Sequence, residues 1–569
     1  MADSRKLSYA YTGSKTPLLG LTIPDLLDQT TVRFPDNEAL VDVPSGRRWT
    51  YREFRDVCRK AARSFMKLGV KSGDRVGIWA TNYPEWVMVQ FSTAMIGAVL
   101  VNINPAYRTH ELEHALADSE SGSLVLTERF KTSDYISMFG EVCPEIKDSK
   151  AGRLNAKSLP TLRNVVLIGG GLRPGMFTWS EFMGLGEEVS EEELTQRQRR
   201  LDFDDVINIQ YTSGTTGLPK GASLTHHNIL NNGYFAGEGL GLTGKDRLCI
   251  PVPFYHCFGM VLSNLACVTH GATMVVPSES FDALATLQAV EKERCTALHG
   301  VPTMFIAELE HPQFGQFDLS SLRTGLMAGA PCPVEVMGKV IDLMHASGIA
   351  IAYGETEASP VATQTPGDAS LEDRTSTVGP PLPFVEVKIV DGNTGRVVSC
   401  GEQGEICYRG YNIMRGYYNN PQGTAEVIDT AGWLHSGDLA TMDDRGYCRI
   451  TGRAKEMVIR GGENIYPREI EEFLFTHPKV KNAQVIGVPD KKYGEELQAW
   501  IQLKEGESAT PDEIREFCKG AIAHYKIPRY VKFVADFPMT VTGKIQKFKM
   551  RETAIKELGL EAEAKTRTA

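Results

Sequence analysis

One run of small residues restricts the fold of this chain more than any other feature: residues 211–221 read Tyr-Thr-Ser-Gly-Thr-Thr-Gly-Leu-Pro-Lys-Gly. An apolar run at 206–211, predicted to be a buried strand, precedes it, and a helix is predicted to begin near Thr225. Glycines let backbone N–H groups close around phosphate oxygens, hydroxyls add donors, and a lysine adds charge. An ordinary turn is the alternative, but the density of hydroxyls and glycines before Lys220 favours a phosphate-binding loop. Pro219 excludes the Walker A pattern, in which glycine precedes the lysine.

Length, charge and cysteine content limit the class of protein. The chain has 569 residues, which is too long for one hydrophobic core and predicts at least two domains. A formal net charge of -10 argues against general affinity for nucleic acid or anionic lipid, so an anionic ligand needs a local cluster of positive charge. The 11 cysteines include no C-x-x-C pair, which indicates reduced thiols rather than a disulfide framework or a zinc site.

No segment has the pattern of a secretory signal or a transmembrane span. Residues 1–16 contain no apolar core. The uncharged stretch 248–278 is interrupted by prolines, histidines and glycine, and it is predicted to form a buried loop, helix and strand. We therefore expect a cytoplasmic protein, or a mitochondrial matrix protein if a transit peptide has been removed.

The order of elements along the chain indicates the fold class. Short apolar runs alternate with amphipathic stretches, which is typical of α/β domains with largely parallel sheets. From residue 385 onward, short strands separated by Gly and Asp turns indicate a β-rich subdomain. The prediction is a large α/β N-terminal domain at 1–454, with two parallel-rich sheets, helices and the β-rich subdomain. A small α+β C-terminal domain is predicted at 455–569.

Five further clusters carry polar groups suited to a nucleotide. Residues 353–357, Tyr-Gly-Glu-Thr-Glu, follow an apolar strand, where α/β folds present ligand groups. A carboxylate there suits a magnesium ion between phosphates, although this run alone would favour a solvated acidic turn. Asp438 in the run 433–438 can accept two hydrogen bonds from a ribose diol. The other three runs are 452–456, 461–471 and 542–545.

Together these motifs resemble the adenylate-forming superfamily of acyl-CoA synthetases, luciferases and adenylation domains, from about residue 25 to about residue 550. The sequence is most similar to medium- and long-chain fatty acyl-CoA ligases of the acyl-CoA synthetase family 2 type, particularly at 459–467 and 543–547. The resemblance implies ATP, Mg²⁺ and coenzyme A. A carboxylate attacks the α-phosphate of Mg-ATP to give acyl-adenylate and pyrophosphate, the mobile C-terminal domain rotates, and the thiol of coenzyme A displaces AMP.

The resemblance also assigns residue roles. Four residues are implied at the reacting groups: Lys544 as the adenylation lysine, Thr356 at the α-phosphate, Glu357 on magnesium with Thr216, and His256 between nucleotide and acyl pocket. His256 also has a second reading, a buried core histidine among aromatic neighbours. The remaining residues would bind nucleotide or thiol or form the hinge. Seven would hold the phosphates: Thr212, Ser213, Gly214, Thr215, Thr216, Gly217 and Lys220. Gly329, Ala330 and Pro331 would flank the adenine, Tyr353 and Gly354 would belong to the cofactor site, and Asp438 and Arg453 would bind the ribose. Lys455 would lie at the hinge, where many relatives have aspartate, and Gly461 and Gly462 would lie along the thiol's approach.

The segments expected to line the acyl pocket predict the substrate class. Residues 254–263, 300–304 and 352–361 contain no Lys or Arg, so a second charge on the acid would stay unpaired. An uncharged aliphatic or aryl tail is therefore favoured, and the hypothesis is a medium-chain fatty acid. A stand-alone adenylation enzyme charging a carrier protein would share every motif. A luciferase-type oxygenase has no residue in its favour, and a non-catalytic regulator would be expected to lack Lys544 or Glu357. The expected partners are a carboxylic acid, ATP and coenzyme A, without nucleic acid, and a homodimer is left open.

Overall fold

The computed structural model describes residues 6–212, 219–330, 332–453, 456–460, 463–519, 521–540 and 545–564, with the backbone alone at 463, 464 and 562. The chain divides into two compact units. The large unit comprises Ala10–Val387 and Tyr408–Leu434, and the small unit comprises Met1–Tyr9, Lys388–Cys407 and His435–Ala569. The domain boundary expected at 454 and 455 falls outside the described residues and stays a prediction.

The first sheet of the large unit has eight strands, in the spatial order Phe177–Thr178, Asn164–Ile168, Ser123–Thr127, Arg75–Trp79, Val99–Asn102, Val206–Thr212, Lys220–Thr225 and Gly416–Tyr417. The first six strands are parallel and the last two pairings are antiparallel. Near-continuous apolar strands such as Ser123–Thr127 are buried along their whole length, as expected for parallel strands covered on both faces. Trp79 stacks on Tyr135 in the core of this sheet, with ring centroids 3.6 Å apart.

The second sheet of the large unit also has eight strands, in the order Thr363–Gln364, Gly348–Tyr353, Thr324–Ala328, Ala297–Gly300, Arg247–Cys249, Thr273–Val276, Glu38–Asp42 and Arg47–Thr50. Its six inner strands are parallel, and only the edge pairings are antiparallel. Because parallel strands share one direction, their carboxyl ends meet along a single edge. A short hairpin, Arg129–Phe130 with Ser133–Asp134, stands apart from both sheets.

Helices connect these strands. The α-helices of the large unit are Ile23–Arg33, Tyr51–Lys67, Pro84–Met95, Thr109–Asp118, Tyr135–Val142, Trp179–Leu185, Glu191–Gln198, His226–Gly239, Cys257–Gly259, Ala266–His270, Ala283–Glu293, Pro302–Leu309, Val334–Leu343, Leu371–Ser376 and Pro421–Ala425. Short 3-10 turns occur at Pro144–Asp148, Gly186–Glu188, Phe314–Gln316 and Thr356–Ala358, and Met260–Leu265 is π-helical. Within the described ranges, no helix is both long and apolar enough to span a bilayer.

The β-rich part of the sequence from residue 385 onward contributes four strands to a five-stranded sheet. The strands lie in the order Tyr9–Tyr11, Val385–Val390, Gly404–Gly410, Leu434–Met442 and Cys448–Arg453. The last part of the small unit is α+β. Its strands are Glu463–Ile465, Val458–Arg460, Gly494–Leu503, Val480–Asp490 and Tyr530–Phe533, and its helices are Pro467–Phe475, Pro511–Cys518, Lys547–Leu558 and Glu561–Ala564, with a 3-10 turn at His524–Lys526. The predicted fold class is confirmed.

The helix predicted near Thr225 is confirmed, but the sequence did not predict the strand that precedes it. The strand Lys220–Thr225 lies between the phosphate-loop run and the helix and pairs antiparallel with Val206–Thr212. The helix then begins at His226, where the hydroxyl of Thr225 accepts a hydrogen bond from the Asn228 N–H at 3.1 Å. The run therefore joins the two strands of a hairpin.

The cysteines are all unpaired thiols, as the sequence predicted. Cys332 and Cys400 are partly exposed, and the other nine thiols are buried. Burial raises the pKa of several of these thiols, to about 11 at Cys143 and to about 12 at Cys448.

Candidate active site

The carboxyl edge of the second sheet brings four predicted segments together. Met327 is in register with Gly300 on one side and with Ile351 on the other, so the strands end side by side. The residues that follow the three strand ends include Gly329 and Ala330, both exposed, and the turn at 353–357. The strand Arg247–Cys249 runs parallel to them and leads into the segment that carries His256.

The acidic turn after the strand Gly348–Tyr353 has a tightly defined backbone. A Cβ atom on Gly354 would lie 2.0 Å from the Pro360 carbonyl oxygen, so a side chain does not fit there. Thr356 and Glu357 then form a short 3-10 turn, and Glu357 is buried with 9% of its surface exposed. The hydroxyl of Tyr353 lies 3.1 Å from that of Tyr408. The close backbone approach fixes the direction in which this turn leaves the sheet.

Tyr417 holds the carboxylate of Glu357. The Tyr417 hydroxyl donates to Glu357 Oε1 at 2.8 Å, and the Met414 N–H donates to the Glu357 carbonyl at 2.8 Å. Burial, with the nearby Glu357 charge, raises the pKa of Tyr417 well above its usual range. The phenol therefore keeps its proton and remains a donor to the carboxylate.

Lys220 contacts the ring of Tyr417 from the neighbouring strand. Its Nζ lies 5.1 Å from the centroid of the Tyr417 ring, a cation–π distance. Strand pairing explains the approach, since Ala222 is in register with Tyr417. The structure thus joins two separate sequence motifs, the end of the phosphate-loop run and the acidic turn, through one aromatic side chain.

Antiparallel strand pairing holds Thr212 and Lys220, which lie near the two ends of the phosphate-loop run, next to each other. Thr212 is in register with Lys220, and its hydroxyl donates to the Lys220 carbonyl at 3.3 Å. Ten of the predicted site residues lie outside the described residues, and their roles stay predictions: Ser213, Gly214, Thr215, Thr216, Gly217, Pro331, Lys455, Gly461, Gly462 and Lys544.

His256 caps the short helix that follows it. Its Nδ1 accepts a hydrogen bond from the Phe258 N–H at 3.2 Å, and His256 is only partly buried, whereas Phe254 and Phe258 are buried. This hydrogen bond gives His256 a local structural role at the start of the helix. Its expected place between nucleotide and acyl pocket stays a prediction.

Asp438 and Arg453 form a pair in the small unit. They are in register on the adjacent strands Leu434–Met442 and Cys448–Arg453, and Asp438 Oδ1 lies 3.2 Å from Arg453 Nε. Asp438 is 13% exposed and Arg453 is 56% exposed at the side chain. The arginine can therefore reach solvent while the carboxylate stays held in one orientation.

Sequence reasoning missed Tyr417. It lies 60 residues from its partner Glu357, in a run of Tyr, Asn and Gly with no motif that announces a ligand site. Tyr417 lies in the two-residue strand Gly416–Tyr417, which pairs with the distant residues Ala222 and Ser223. A strand this short leaves no pattern in the sequence from which that pairing could be predicted.

The large unit combines two parallel-rich sheets with helices, an acidic turn at a strand end and a hairpin whose second strand begins at Lys220. This combination is expected of an adenylate-forming enzyme. The chain belongs to the AMP-binding enzyme family: residues 27–418 match the AMP-binding enzyme domain and residues 469–544 match the AMP-binding enzyme C-terminal domain. The predicted family and its enzyme class, an AMP-forming acid–thiol ligase that uses ATP, Mg²⁺ and coenzyme A, are confirmed.

Similar proteins include two relatives that align over almost the whole chain. YngI of Bacillus subtilis (strain 168), whose name describes a candidate acyl-CoA synthetase, is 52% identical over 95% of this chain and 99% of its own length. The mitochondrial medium-chain acyl-CoA ligase ACSF2 of Danio rerio is 46% identical over 97% of this chain and 91% of its own length. Among solved structures, the anthranilate CoA ligase AuaEII in complex with anthranoyl-AMP is 26% identical, with a TM-score of 0.84 over 96% of this chain and 99% of that chain.

Proposed function

We propose that this enzyme converts medium-chain fatty acids to acyl-CoA thioesters. The observation that carries the proposal is the Lys220–Tyr417–Glu357 cluster, in which an ammonium group and a buried carboxylate contact one tyrosine beside the described ends of the run 211–221. Attack of a carboxylate on a polyphosphate brings anions together, so fixed positive charge and donors are the main catalytic requirement. The family membership supplies the reaction class for which this cluster is suited.

The proposed chemistry has two balanced steps. An acid oxygen bonds to the α-phosphorus of ATP while the bond to the β-phosphate oxygen breaks, releasing pyrophosphate. The thiol of coenzyme A then bonds to the acyl carbon, the bond to the AMP oxygen breaks, and the thiol proton goes to solvent. Mg²⁺ would neutralise phosphate charge in the first step, and Glu357 fits it because this buried carboxylate is oriented by the neutral hydroxyl of Tyr417.

The remaining roles are proposed in the same way. Lys220 and Thr212 would flank the β- and γ-phosphates, with Ser213, Gly214, Thr215, Thr216 and Gly217 between them and Thr216 on magnesium. Thr356 would contact the α-phosphate. Gly329, Ala330 and Pro331 would lie against adenine near Tyr353 and Gly354, Asp438 and Arg453 would bind the ribose, and His256 would separate nucleotide from acyl tail. Lys455 would be the hinge of the proposed domains 1–454 and 455–569, Gly461 and Gly462 would line the path of the thiol, and Lys544 would serve adenylation alone.

The acyl tail is proposed to be uncharged and of medium length. The segments 254–263, 300–304 and 352–361 carry no Lys or Arg, and Phe254, Val301 and Val361 are buried. Burying a second carboxylate among them would cost several kcal/mol, on the order of the penalty for an unpaired charge. The medium-chain relative supports the aliphatic choice over an aryl acid.

The state of the cysteines indicates the cellular compartment of the enzyme. Eleven unpaired thiols suit a reducing compartment, and we propose the cytoplasm, with the mitochondrial matrix as the alternative that the vertebrate relative's name raises. A homodimer stays a prediction that sedimentation would test.

The direct test is pyrophosphate release across a panel of acids, with and without coenzyme A. We expect release to need both acid and ATP, thioester to form only with coenzyme A, and kcat/KM to peak at medium-chain acids. Preference for acetate or a dicarboxylate would contradict the substrate proposal. Transfer to a carrier protein but not to coenzyme A would contradict the reaction.

Lys544→Ala tests the division between the two steps. Loss of a preorganised cation at the developing charge should lower acid-dependent pyrophosphate exchange by about a hundredfold or more. Thioester formation from supplied acyl-adenylate should persist. Exchange that survives unchanged would remove Lys544 from the first step.

A further inference from the structure

A carboxylate inside the small unit holds the turn that carries Asp438. Glu405, on the strand Gly404–Gly410, accepts a hydrogen bond from the Gly437 N–H at Oε1, at 2.9 Å. Its Oε2 lies 2.8 Å from His435 Nδ1, and because a carboxylate only accepts, Nδ1 carries the proton. One side chain therefore fixes the residue that precedes Asp438 and the histidine two positions further back.

Ser436 adds a second attachment to the same strand. Its hydroxyl donates to the Ile406 carbonyl at 2.7 Å and accepts from the Asp438 N–H at 3.0 Å. Gly437 has φ +71°, a left-handed conformation that a residue with a side chain adopts only under strain. The neighbouring strand therefore determines the backbone just before the Asp438 carboxylate, and in these four hydrogen bonds of the described residues the charged acceptor is Glu405.

Cys407 makes the cluster resemble a metal site, but the distances favour hydrogen bonding. Cys407 Sγ lies 3.4 Å from His435 Nδ1, and one ligand atom from each of these two residues and Glu405 fits within 4.8 Å. Two tetrahedral zinc ligands at about 2.0–2.1 Å from the ion lie about 3.3 Å apart, longer than the 2.8 Å between Nδ1 and Oε2. Both carboxylate oxygens of Glu405 also already accept protein donors.

We propose that Glu405 is a positioning residue for nucleotide selection: it orients the Asp438 carboxylate so that both of its oxygens meet the two hydroxyls of the ribose. The inference rests on the proposed ribose role of Asp438. A diol gives two hydrogen bonds only to a carboxylate held in one orientation, so a loosened turn still binds ATP but discriminates less against an analogue that lacks one hydroxyl.

The test compares kcat/KM for ATP with that for 2′-deoxy-ATP and 3′-deoxy-ATP, measured as acid-dependent pyrophosphate release. Glu405→Gln places an amide donor against either the Gly437 N–H or the imidazole N–H, so one of the two attachments is lost. We expect the ATP preference to fall about tenfold, mainly through KM for ATP. Because the preference is a ratio within one variant, a smaller folded fraction leaves it unchanged.

Three further variants make the result decisive. Glu402→Gln is the matched control, because Glu402 lies on the same segment and accepts from the Ser399 N–H at 3.1 Å rather than from the turn. It should keep the wild-type preference, as should Cys407→Ser. Asp438→Asn should lose the preference at least as fully as Glu405→Gln.

Each other outcome overturns the inference in a recognisable way. If Asp438→Asn loses the preference and Glu405→Gln keeps it, the positioning role is wrong while the proposed function stands. If Asp438→Asn keeps it, the ribose role itself is wrong. If purified wild-type protein holds about one zinc per chain that Glu405→Gln and Cys407→Ser both lose, the cluster is a metal site instead.

Discussion

Tyr417→Phe tests whether Glu357 binds magnesium and leaves the contact between the Tyr417 ring and Lys220 in place. The substitution removes only the hydroxyl that donates to Glu357 Oε1 at 2.8 Å, and it leaves the ring that faces the Lys220 ammonium. A hydrogen bond to a charged group contributes about 1.5–3 kcal/mol, and loss of a partner that orients a metal ligand typically weakens metal binding about 10- to 100-fold.

We therefore expect the concentration of Mg²⁺ that half-saturates pyrophosphate release to rise at least about tenfold, equivalent to about 1.4 kcal/mol. The free energy of unfolding should also fall by about 1–2 kcal/mol, because the carboxylate is 9% exposed and loses a donor. Titration of activity with Mg²⁺ at saturating ATP, and urea unfolding without nucleotide, measure the two effects separately.

Tyr418→Phe is the matched control, since it removes a hydroxyl from the next residue. That hydroxyl lies 3.3 Å from Glu120 in an exposed contact remote from the acidic turn. If both variants show the wild-type Mg²⁺ dependence, Tyr417 does not orient a metal ligand and Glu357 is not supported as one. If both variants shift equally, the effect belongs to the segment and not to the hydrogen bond.

Two predictions concern stability. Burial lowers the pKa of both His226 and His299 to about 3. Between about pH 6.5 and pH 3, these two histidines are therefore protonated in the unfolded chain and neutral in the folded chain. Stability is therefore full above pH 6.5 and falls as pH drops, by about 2 kcal/mol per histidine at pH 5, which urea unfolding at pH 7 and pH 5 will measure; equal stability at both would contradict the burial argument. Lys547 Nζ lies 2.7 Å from the buried Glu471 carboxylate, so Lys547→Met should destabilise by about 3–5 kcal/mol, whereas the exposed Lys549→Met should not. Equal melting curves for these two variants would show that the pair adds nothing.

The sequence predicted those helices and strands whose formation depends on residues close to one another in the chain. The helix expected near Thr225 begins at His226 because a threonine followed three residues later by Asn228 satisfies the first free N–H groups. The apolar run 86–101 predicts a buried helix to about Ile96 and, after Gly97, a strand. Both occur, as Pro84–Met95 and Val99–Asn102.

The hairpin could not be predicted because its second strand has little strand character of its own. Lys220–Thr225 reads Lys-Gly-Ala-Ser-Leu-Thr, with threonine as its only β-branched residue. It forms a strand because Val206–Thr212 lies on one side and Gly416–Tyr417 on the other. Pairings between distant segments also created the contact of Tyr417 with Glu357, which no spacing along the chain reveals.

The thiol distribution of this protein affects how its turnover can be followed. Consumption of coenzyme A can be recorded with an aromatic disulfide reagent that reacts with thiolates, and nine of the chain's own thiols are buried beyond its reach. Burial raises the pKa of the partly exposed Cys332 to about 12, so this thiol stays protonated at neutral pH. The folded enzyme should contribute only about one reacting thiol per chain, which leaves Cys400 as the source. A slow rise toward 11 thiols in the same cuvette would then report unfolding, independently of catalysis.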